Sequence, residues 1–158
     1  MKALIPHRSA GKRPAILPSQ SPGFTLIELL IVVAVIGIIA ALSIPNLVQS
    51  KKAANEKVAI TYMRSWTAAQ ELYYTRHGGY ADADNQLFDD GLIDGRGAAD
   101  SNGYNFSLDN PANSRYTWWG TARPDIPGQT GSRWFYIDHT GVIRYSTAGG
   151  ANSSSSPL

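Results

Sequence analysis

Apolar and polar residues divide this chain of 158 residues into stretches of different character. Residues 1–23 are basic and rich in proline, and they show no apolar periodicity. The next 21 residues, 24–44, are almost entirely apolar, with three polar side chains: Thr25, Glu28 and Ser43. A helix of that length would measure about 31 Å, close to the hydrocarbon thickness of a bilayer. The pattern therefore predicts a transmembrane helix over residues 24–44, preceded by a leader.

Beyond Pro45 the apolar residues become periodic. The stretch 46–76 contains no Gly or Pro, and five apolar residues recur in it at intervals of three or four: Val58, Tyr62, Trp66, Ala69 and Tyr73. This spacing predicts an amphipathic helix with one buried stripe. The sequence His77-Gly78-Gly79 then supplies a stop signal. We therefore expect one long helix over residues 24–77, apolar all round in its first half and amphipathic in its second.

The remainder, residues 78–158, alternates aromatic runs with Gly, Asn, Asp and Pro. Four short strands are predicted, near residues 104–108, 116–122, 134–137 and 142–146, and the last two flank a turn that ends in Gly141. The chain is thus expected to have an α+β fold, in which a small antiparallel sheet packs its apolar face on the helix stripe. From about residue 149 the composition is Gly/Ser/Asn-rich and predicts a flexible tail.

Charge and cysteine content exclude several classes of function. The whole chain carries 14 Lys/Arg and 12 Asp/Glu. Four of the basic residues lie in the leader, which has no acid, so ten basic residues remain against twelve acids. A chain without a basic stripe gives no indication of nucleic-acid binding. The absence of cysteine excludes disulfides, thiolate metal sites and thiol nucleophiles.

The junction between leader and apolar run reads Gly-Phe-Thr-Leu-Ile-Glu, residues 23–28. Pro22 and Gly23 prevent the helix from extending upstream and leave the bond after Gly23 accessible to a protease. Glu28 is the exception in an apolar segment, where an ionisable group is costly unless it is paired. Its carboxylate could reach the water interface, or it could pair with the α-amino group that cleavage would create on Phe24, in the same or an adjacent subunit.

These six residues, the basic leader and the apolar run closely resemble the processing signature of type IV pilins and of type II secretion pseudopilins. The resemblance covers residues 21–55 closely, and it extends loosely to the helix-and-sheet layout. It implies that a prepilin peptidase cleaves between Gly23 and Phe24 and then methylates the new amino group. It also implies that Glu28 registers an incoming subunit against its neighbour.

The same resemblance implies a second pair of sites inside the helix. Gly37 and Pro45 bracket a stretch that can unwind locally in filaments of this family. The residue types agree with that role, because Gly37 lowers helix propensity and Pro45 cannot donate a backbone hydrogen bond.

The function implied by the resemblance is that of a structural, non-enzymatic subunit of a type IV pilus-like filament. Its partners would be other copies of the chain, the prepilin peptidase, membrane lipid before assembly, and an inner-membrane assembly platform with its ATPase. The chain itself has no phosphate-binding loop of the Walker type. The expected location is the bacterial inner membrane as a single-pass precursor, and then a surface pilus or a periplasmic pseudopilus.

Two alternatives stay open. The first is a pseudopilin of a type II secretion system, because the lack of cysteine removes the disulfide-closed loop of many major pilins. The second is a secreted soluble domain behind an ordinary signal peptide. In that case residues 29–42 would be the apolar core of the signal, and cleavage after Ser43 would release a chain that begins at Ile44.

Three weaker features have both a functional and a structural interpretation. Six aspartates could bind Ca²⁺ or could form a solvated loop, which is the favoured interpretation: Asp82, Asp84, Asp89, Asp90, Asp94 and Asp100. His139 could act in catalysis, but it lies in a predicted turn next to no identifiable nucleophile, so a structural turn residue is the favoured interpretation. The aromatic residues could line a ligand groove, but we expect them to form the core. No cofactor is predicted.

Overall fold

The structure is a computed structural model that describes residues 23–95, 103–110 and 114–158. The predicted leader therefore lies outside the described residues, except for Gly23. The chain divides into two compact units, Met1–Ile39 and Ala40–Leu158. Helix α1, Leu26–His77, contributes residues to both units. Its end at His77 is the end that the sequence predicts.

In the first unit, every described residue is exposed. From Leu26 onward these residues belong to the apolar run of α1, which is long enough and apolar enough to cross a membrane. Such a helix can remain exposed only in lipid or against other apolar surface. The predicted transmembrane character of this run is therefore consistent with the exposure of its side chains.

In the second unit, α1 buries one face against a five-stranded antiparallel sheet. The strands follow chain order across the sheet, and their bounds are β1 Tyr104–Asp109, β2 Trp119–Pro124, β3 Trp134–Asp138, β4 Arg144–Ser146 and β5 Ser156–Pro157. A short helix, α2, Asp84–Asp89, precedes the sheet and was not predicted. The observed α+β architecture is the predicted one.

The core lies between α1 and the inner face of the sheet. Paired positions place Leu108, Gly120 and Ile137 in one row across β1, β2 and β3. The Trp66 ring occupies the space that a side chain at residue 120 would need. A Cβ atom at Gly120 would overlap this ring, so the position requires glycine. Trp66 is fully buried and packs edge-on against Phe106, with ring centroids 5.9 Å apart. Trp66, Trp118 and Phe135 are buried as predicted for an aromatic core, whereas Trp119, Trp134 and Tyr136 are partly exposed and lie outside the core.

The buried stripe of α1 differs from the predicted one. Trp66 and Ala69 are buried as expected, but Val58 is 42% exposed. The face that meets the sheet is instead formed by Asn55, Glu56, Ala59, Met63, Trp66, Ala69 and Gln70. Three of these are polar, so a stripe defined by apolar residues alone is rotated away from the true one. Their polar groups are satisfied by hydrogen bonds: the Gln70 amide, for example, exchanges two with the backbone of Ala81.

The prediction of a flexible tail from about residue 149 is wrong in this structure. Residues 156 and 157 form β5, which pairs with β4, and the Leu158 amide donates to the Ile143 carbonyl at 2.9 Å. Ala151 is only 9% exposed. Composition indicated flexibility because Gly, Ser and Asn bury little apolar area. Here the segment gains its order from backbone hydrogen bonds at a sheet edge, which composition does not reveal.

Candidate functional site

The candidate site is the start of α1, where Thr25 and Glu28 form a reciprocal capping box. The Glu28 amide donates to the Thr25 hydroxyl at 3.2 Å. In return, one carboxylate oxygen of Glu28 accepts from the Thr25 amide at 3.3 Å and from the Thr25 hydroxyl at 3.1 Å. A capping box satisfies backbone N–H groups that the first turn of a helix leaves without partners. The carboxylate also lies at the positive end of the helix dipole.

This geometry adds a role for Glu28 that the sequence analysis did not predict. Threonine followed by glutamate three residues later is the known signature of a capping box, so the signal was present in residues 25–28. The structure brings Glu28 to Thr25, directly after Phe24. Gly23 and Phe24 precede the helix and are exposed. The bond between them is therefore accessible in this structure.

Gly37 and Pro45 both lie inside α1, which is helical through each position. A Cβ atom at Gly37 would meet no atom within 4 Å beyond its chain neighbours and the nearby backbone of its own helix. Next to Pro45, the side-chain amide of Asn46 donates to the Leu42 carbonyl at 3.2 Å, one turn earlier. The expected unwinding concerns the assembled filament, and it stays a prediction.

A second polar cluster fixes the loop before β3 to α1, and the sequence analysis did not predict it. The Glu56 carboxylate, 7% exposed as a residue, accepts from the Ser132 amide at 2.8 Å and from the Arg133 guanidinium at 2.7 Å. The neighbouring Asn55 amide donates to the Thr130 carbonyl at 2.8 Å. We call these residues, 55, 56, 130, 132 and 133, the Glu56 cluster. No pattern in the sequence relates residues that lie about 75 positions apart.

The acidic residues after α1 do not form a cation site in the part of the chain that the structure describes. No group of three His, Cys, Asp or Glu side chains is arranged to hold a metal there. Asp90 instead contacts His77 at 2.6 Å and Arg76 at 3.8 Å. Asp100 lies outside the described residues. His139 lies in the turn between β3 and β4, where its backbone amide donates to the Trp118 carbonyl at 3.1 Å.

Comparison with known proteins supports the interpretation of the N-terminal segment. Residues 19–44 match the family model described as "Prokaryotic N-terminal methylation motif". The segment carries a prepilin-type methylation motif. The motif includes Gly23, Phe24, Glu28 and Gly37, whereas Pro45 lies one residue beyond the match.

Three relatives are similar to the chain over less than half of its length. The type IV wide pilus major component PilA4 of Thermus thermophilus is 44% identical over 73 residues, 46% of this chain and 56% of that protein. The type IV major pilin protein PilA of Myxococcus xanthus is 40% identical over 68 residues, 43% of this chain and 31% of that protein. The type II secretion system core protein G of Vibrio cholerae is 34% identical over 68 residues, 43% of this chain and 47% of that protein.

These similarities confirm the resemblance to type IV pilins and type II pseudopilins. The matched stretch spans between about a third and a little over half of the relatives' own length. The two most similar of the three are pilins, and the third is a secretion-system core protein.

Proposed function

We propose that this chain is the precursor of a structural, non-enzymatic subunit of a type IV pilus-like filament. The single observation that carries the proposal is the prepilin-type methylation motif at the start of an apolar helical run, whose residues 26–39 are all exposed. The similarity to two pilins supports a pilus as the assembly. A pseudopilin of a type II secretion system is the second candidate, supported by the similarity to the Vibrio protein.

Processing would follow from the local structure. The bond between Gly23 and Phe24 precedes the helix, so a prepilin peptidase could bind it in an extended conformation. Hydrolysis would leave a carboxylate on Gly23 and a positive amino group on Phe24. The enzyme would then transfer a methyl group from a sulfonium donor to this nitrogen, which would release a proton, while the donor would leave as a thioether. The new amino group lies next to the capping box, and Glu28 would compensate its charge in the same subunit or in a neighbour.

Assembly would follow from the exposed apolar run of α1. In the precursor, lipid of the inner membrane would cover this surface. When a platform and its ATPase extract the subunit, the same surface must be covered by the apolar helices of other copies. Contacts of this kind repeat without closing on themselves, and they generate an open helical polymer. The product would be a surface pilus or, for the second candidate, a periplasmic pseudopilus.

The mature N-terminus tests the proposal directly. The chain is expressed with a prepilin peptidase, and its terminus is determined by mass spectrometry in membrane and sheared-surface fractions. We expect a chain that begins at N-methylated Phe24 and is abundant in the sheared fraction. Gly23→Asp should block processing, because an acidic side chain would alter the residue before the scissile bond. Gly37→Ala is the matched control and should be processed normally.

Each other outcome has a defined meaning. A chain that begins at Ile44 would refute the filament proposal and would identify an exported soluble domain. An intact N-terminus in the presence of active peptidase would refute processing. A chain that begins at Phe24 but stays out of the sheared fraction would favour the pseudopilin.

A further inference from the structure

The outer face of the sheet, which points away from α1, carries a pair of parallel aromatic rings. Trp119 on β2 and Tyr136 on β3 have ring centroids 6.2 Å apart and planes inclined by 17°. Both side chains are partly exposed. Thr121 lies opposite Tyr136 in the register of these two strands. Side chains alternate along a strand, so all three point to the outer face.

The C-terminal segment turns this flat surface into an open cavity of about 440 Å³. The cavity is lined by Trp119, Thr121, Tyr136, Ala151, Asn152 and Ser153. A tight turn holds its outer wall: the Ser155 amide donates to the Asn152 carbonyl at 3.0 Å, and the Ser154 amide donates to the Asn152 side-chain oxygen at 2.9 Å. Pairing of β5 with β4 anchors the far end of this wall.

The polar groups around the two rings are available to a ligand. Five of them have no hydrogen-bond partner among the described residues: the indole N–H of Trp119, the hydroxyls of Thr121, Tyr136 and Ser153, and the amide N–H₂ of Asn152. The three hydroxyls can donate or accept, and the other two groups donate only, at the rim of an apolar floor. No Lys, Arg, Asp or Glu side chain lines the cavity. The surface therefore combines flat apolar area, a neutral polar rim and a fixed wall.

We propose that this surface binds a neutral oligosaccharide. A pyranose ring has an apolar face of C–H groups, which stacks on an aromatic ring, and a rim of hydroxyls, which both donate and accept hydrogen bonds. Trp and Tyr provide the matching rigid, amphipathic contacts. Binding pockets commonly consist of an apolar floor with a few polar groups that fix the orientation of the ligand. Arg144 lies opposite Tyr136 in the strand register, but it does not line the cavity, and its guanidinium donates to the Ser155 carbonyl. We therefore expect a neutral ligand to bind more tightly than an anionic one.

A purely structural role explains only part of this arrangement. Aromatic residues on neighbouring strands stabilise a sheet by packing on each other. That role would account for the parallel rings. It requires neither the open cavity beside them nor a rim of polar groups without partners. The proposed binding site goes beyond the filament function and does not depend on it, because all of its residues belong to the second unit.

The test uses the full chain in detergent micelles and isothermal titration calorimetry. Three neutral probes are titrated: cellohexaose, mannohexaose and laminarihexaose. An acidic probe, penta-galacturonate, is titrated for comparison. We expect at least one neutral probe to bind more tightly than the acidic one. Trp119→Ala should weaken that binding about tenfold, the change expected for the loss of one stacking contact.

Two further variants separate binding from folding. Ser153→Leu places a larger side chain in the cavity at an exposed position, so it should weaken binding without lowering the thermal midpoint. Tyr116→Ala removes an aromatic side chain that is 71% exposed and lies outside the cavity, and it should bind like the unmodified chain. The proposal is overturned if none of the three neutral probes binds, if the acidic probe binds more tightly, or if Trp119→Ala and Ser153→Leu leave the affinity unchanged.

Discussion

At the scale of single residues, Glu28 has two separable properties, its hydrogen bonds and its charge. As the last residue of the capping box it accepts hydrogen bonds from Thr25. As a carboxylate in an apolar segment it would compensate a positive amino group on Phe24. Glutamine occurs in capping boxes in the same position as glutamate. The chain therefore offers a substitution that keeps the first property and removes the second.

We expect Glu28→Gln to be cleaved and methylated normally but to yield far fewer filaments than the unmodified chain. The helix start would be preserved, whereas the methylated amino group would lack its counter-charge. Mass spectrometry of the N-terminus and electron microscopy of sheared material measure the two effects. Thr25→Ser, which keeps the hydroxyl of the capping box, is the control. Normal filament yield with Glu28→Gln would show that the charge has no part in assembly.

The Glu56 cluster depends on Arg133 in a comparable way. The Arg133 side chain is 33% exposed and that of Glu56 only 9%. Removing the guanidinium would leave a nearly buried carboxylate with one hydrogen-bond donor, the Ser132 amide. We expect Arg133→Ala to lower the free energy of unfolding by about 2 kcal/mol, less than a fully buried pair would lose. Urea unfolding measures the change.

Two variants make that expectation specific. Adding Glu56→Gln to Arg133→Ala should restore part of the loss, because the double variant no longer buries an unpaired charge. Arg123 is an exposed arginine on β2, and Arg123→Ala should change the free energy of unfolding by less than about 0.5 kcal/mol. If the double variant is less stable than the single one, the cluster is not held by charge pairing.

At the scale of elements, the C-terminal segment is where sequence and structure differ most. The Leu158 amide donates to Ile143, and the Arg144 guanidinium donates to the Ser155 carbonyl at 3.1 Å. We expect native-state hydrogen exchange to show a Leu158 amide that is protected relative to an unfolded peptide. The exposed amide of Ser153, which donates no hydrogen bond among the described residues, is an internal reference. Equal exchange rates at both amides would support the flexible tail that composition predicts.

Helix α1 and the strands were predictable because each depends on local patterns. The apolar run and the Gly78-Gly79 stop mark α1 in the sequence. Aromatic runs separated by Gly, Asn, Asp and Pro mark β1 to β4 within two or three residues. The capping box was also encoded locally, in residues 25–28. By contrast, the Glu56 cluster and β5 depend on contacts between distant positions. Their residues, such as Glu56 and Ser156, carry no apolar periodicity that could predict burial or pairing.

At the scale of the whole molecule, four tyrosines of the second unit make folding sensitive to alkaline pH. Burial is the main cause that raises the pKa of each: Tyr73, Tyr80, Tyr104 and Tyr136. For Tyr80, burial and a hydrogen bond to Glu71 raise the pKa to about 12, from an ordinary value of 10.0. The folded state thus holds the phenolic proton more tightly than the unfolded state does.

The sign of the pH dependence follows from linkage. Below pH 10 both states are protonated, and the contribution of Tyr80 to stability is complete. As the pH rises from about 10 to about 12, the unfolded state loses its proton first, so the free energy of unfolding falls. We expect urea unfolding at stepped pH to show this decline, with a smaller slope in Tyr80→Phe. Tyr116→Phe, at an exposed tyrosine, is the matched control for the substitution itself. If Tyr80→Phe and the unmodified chain show equal slopes, Tyr80 does not contribute to the decline.

The order of the sheet also has a consequence for the proposed filament, in which copies of this domain would lie side by side. Exposed strand edges invite other chains to add a strand, which leads to uncontrolled aggregation. Here β4 is covered by the two residues of β5, one of which is Pro157, and proline has no N–H to offer to a further strand. The outermost edge is thereby both very short and partly unable to pair. In the proposed filament, crowded domains would be protected from joining one another through this edge, so that polymerisation would be left to the helix.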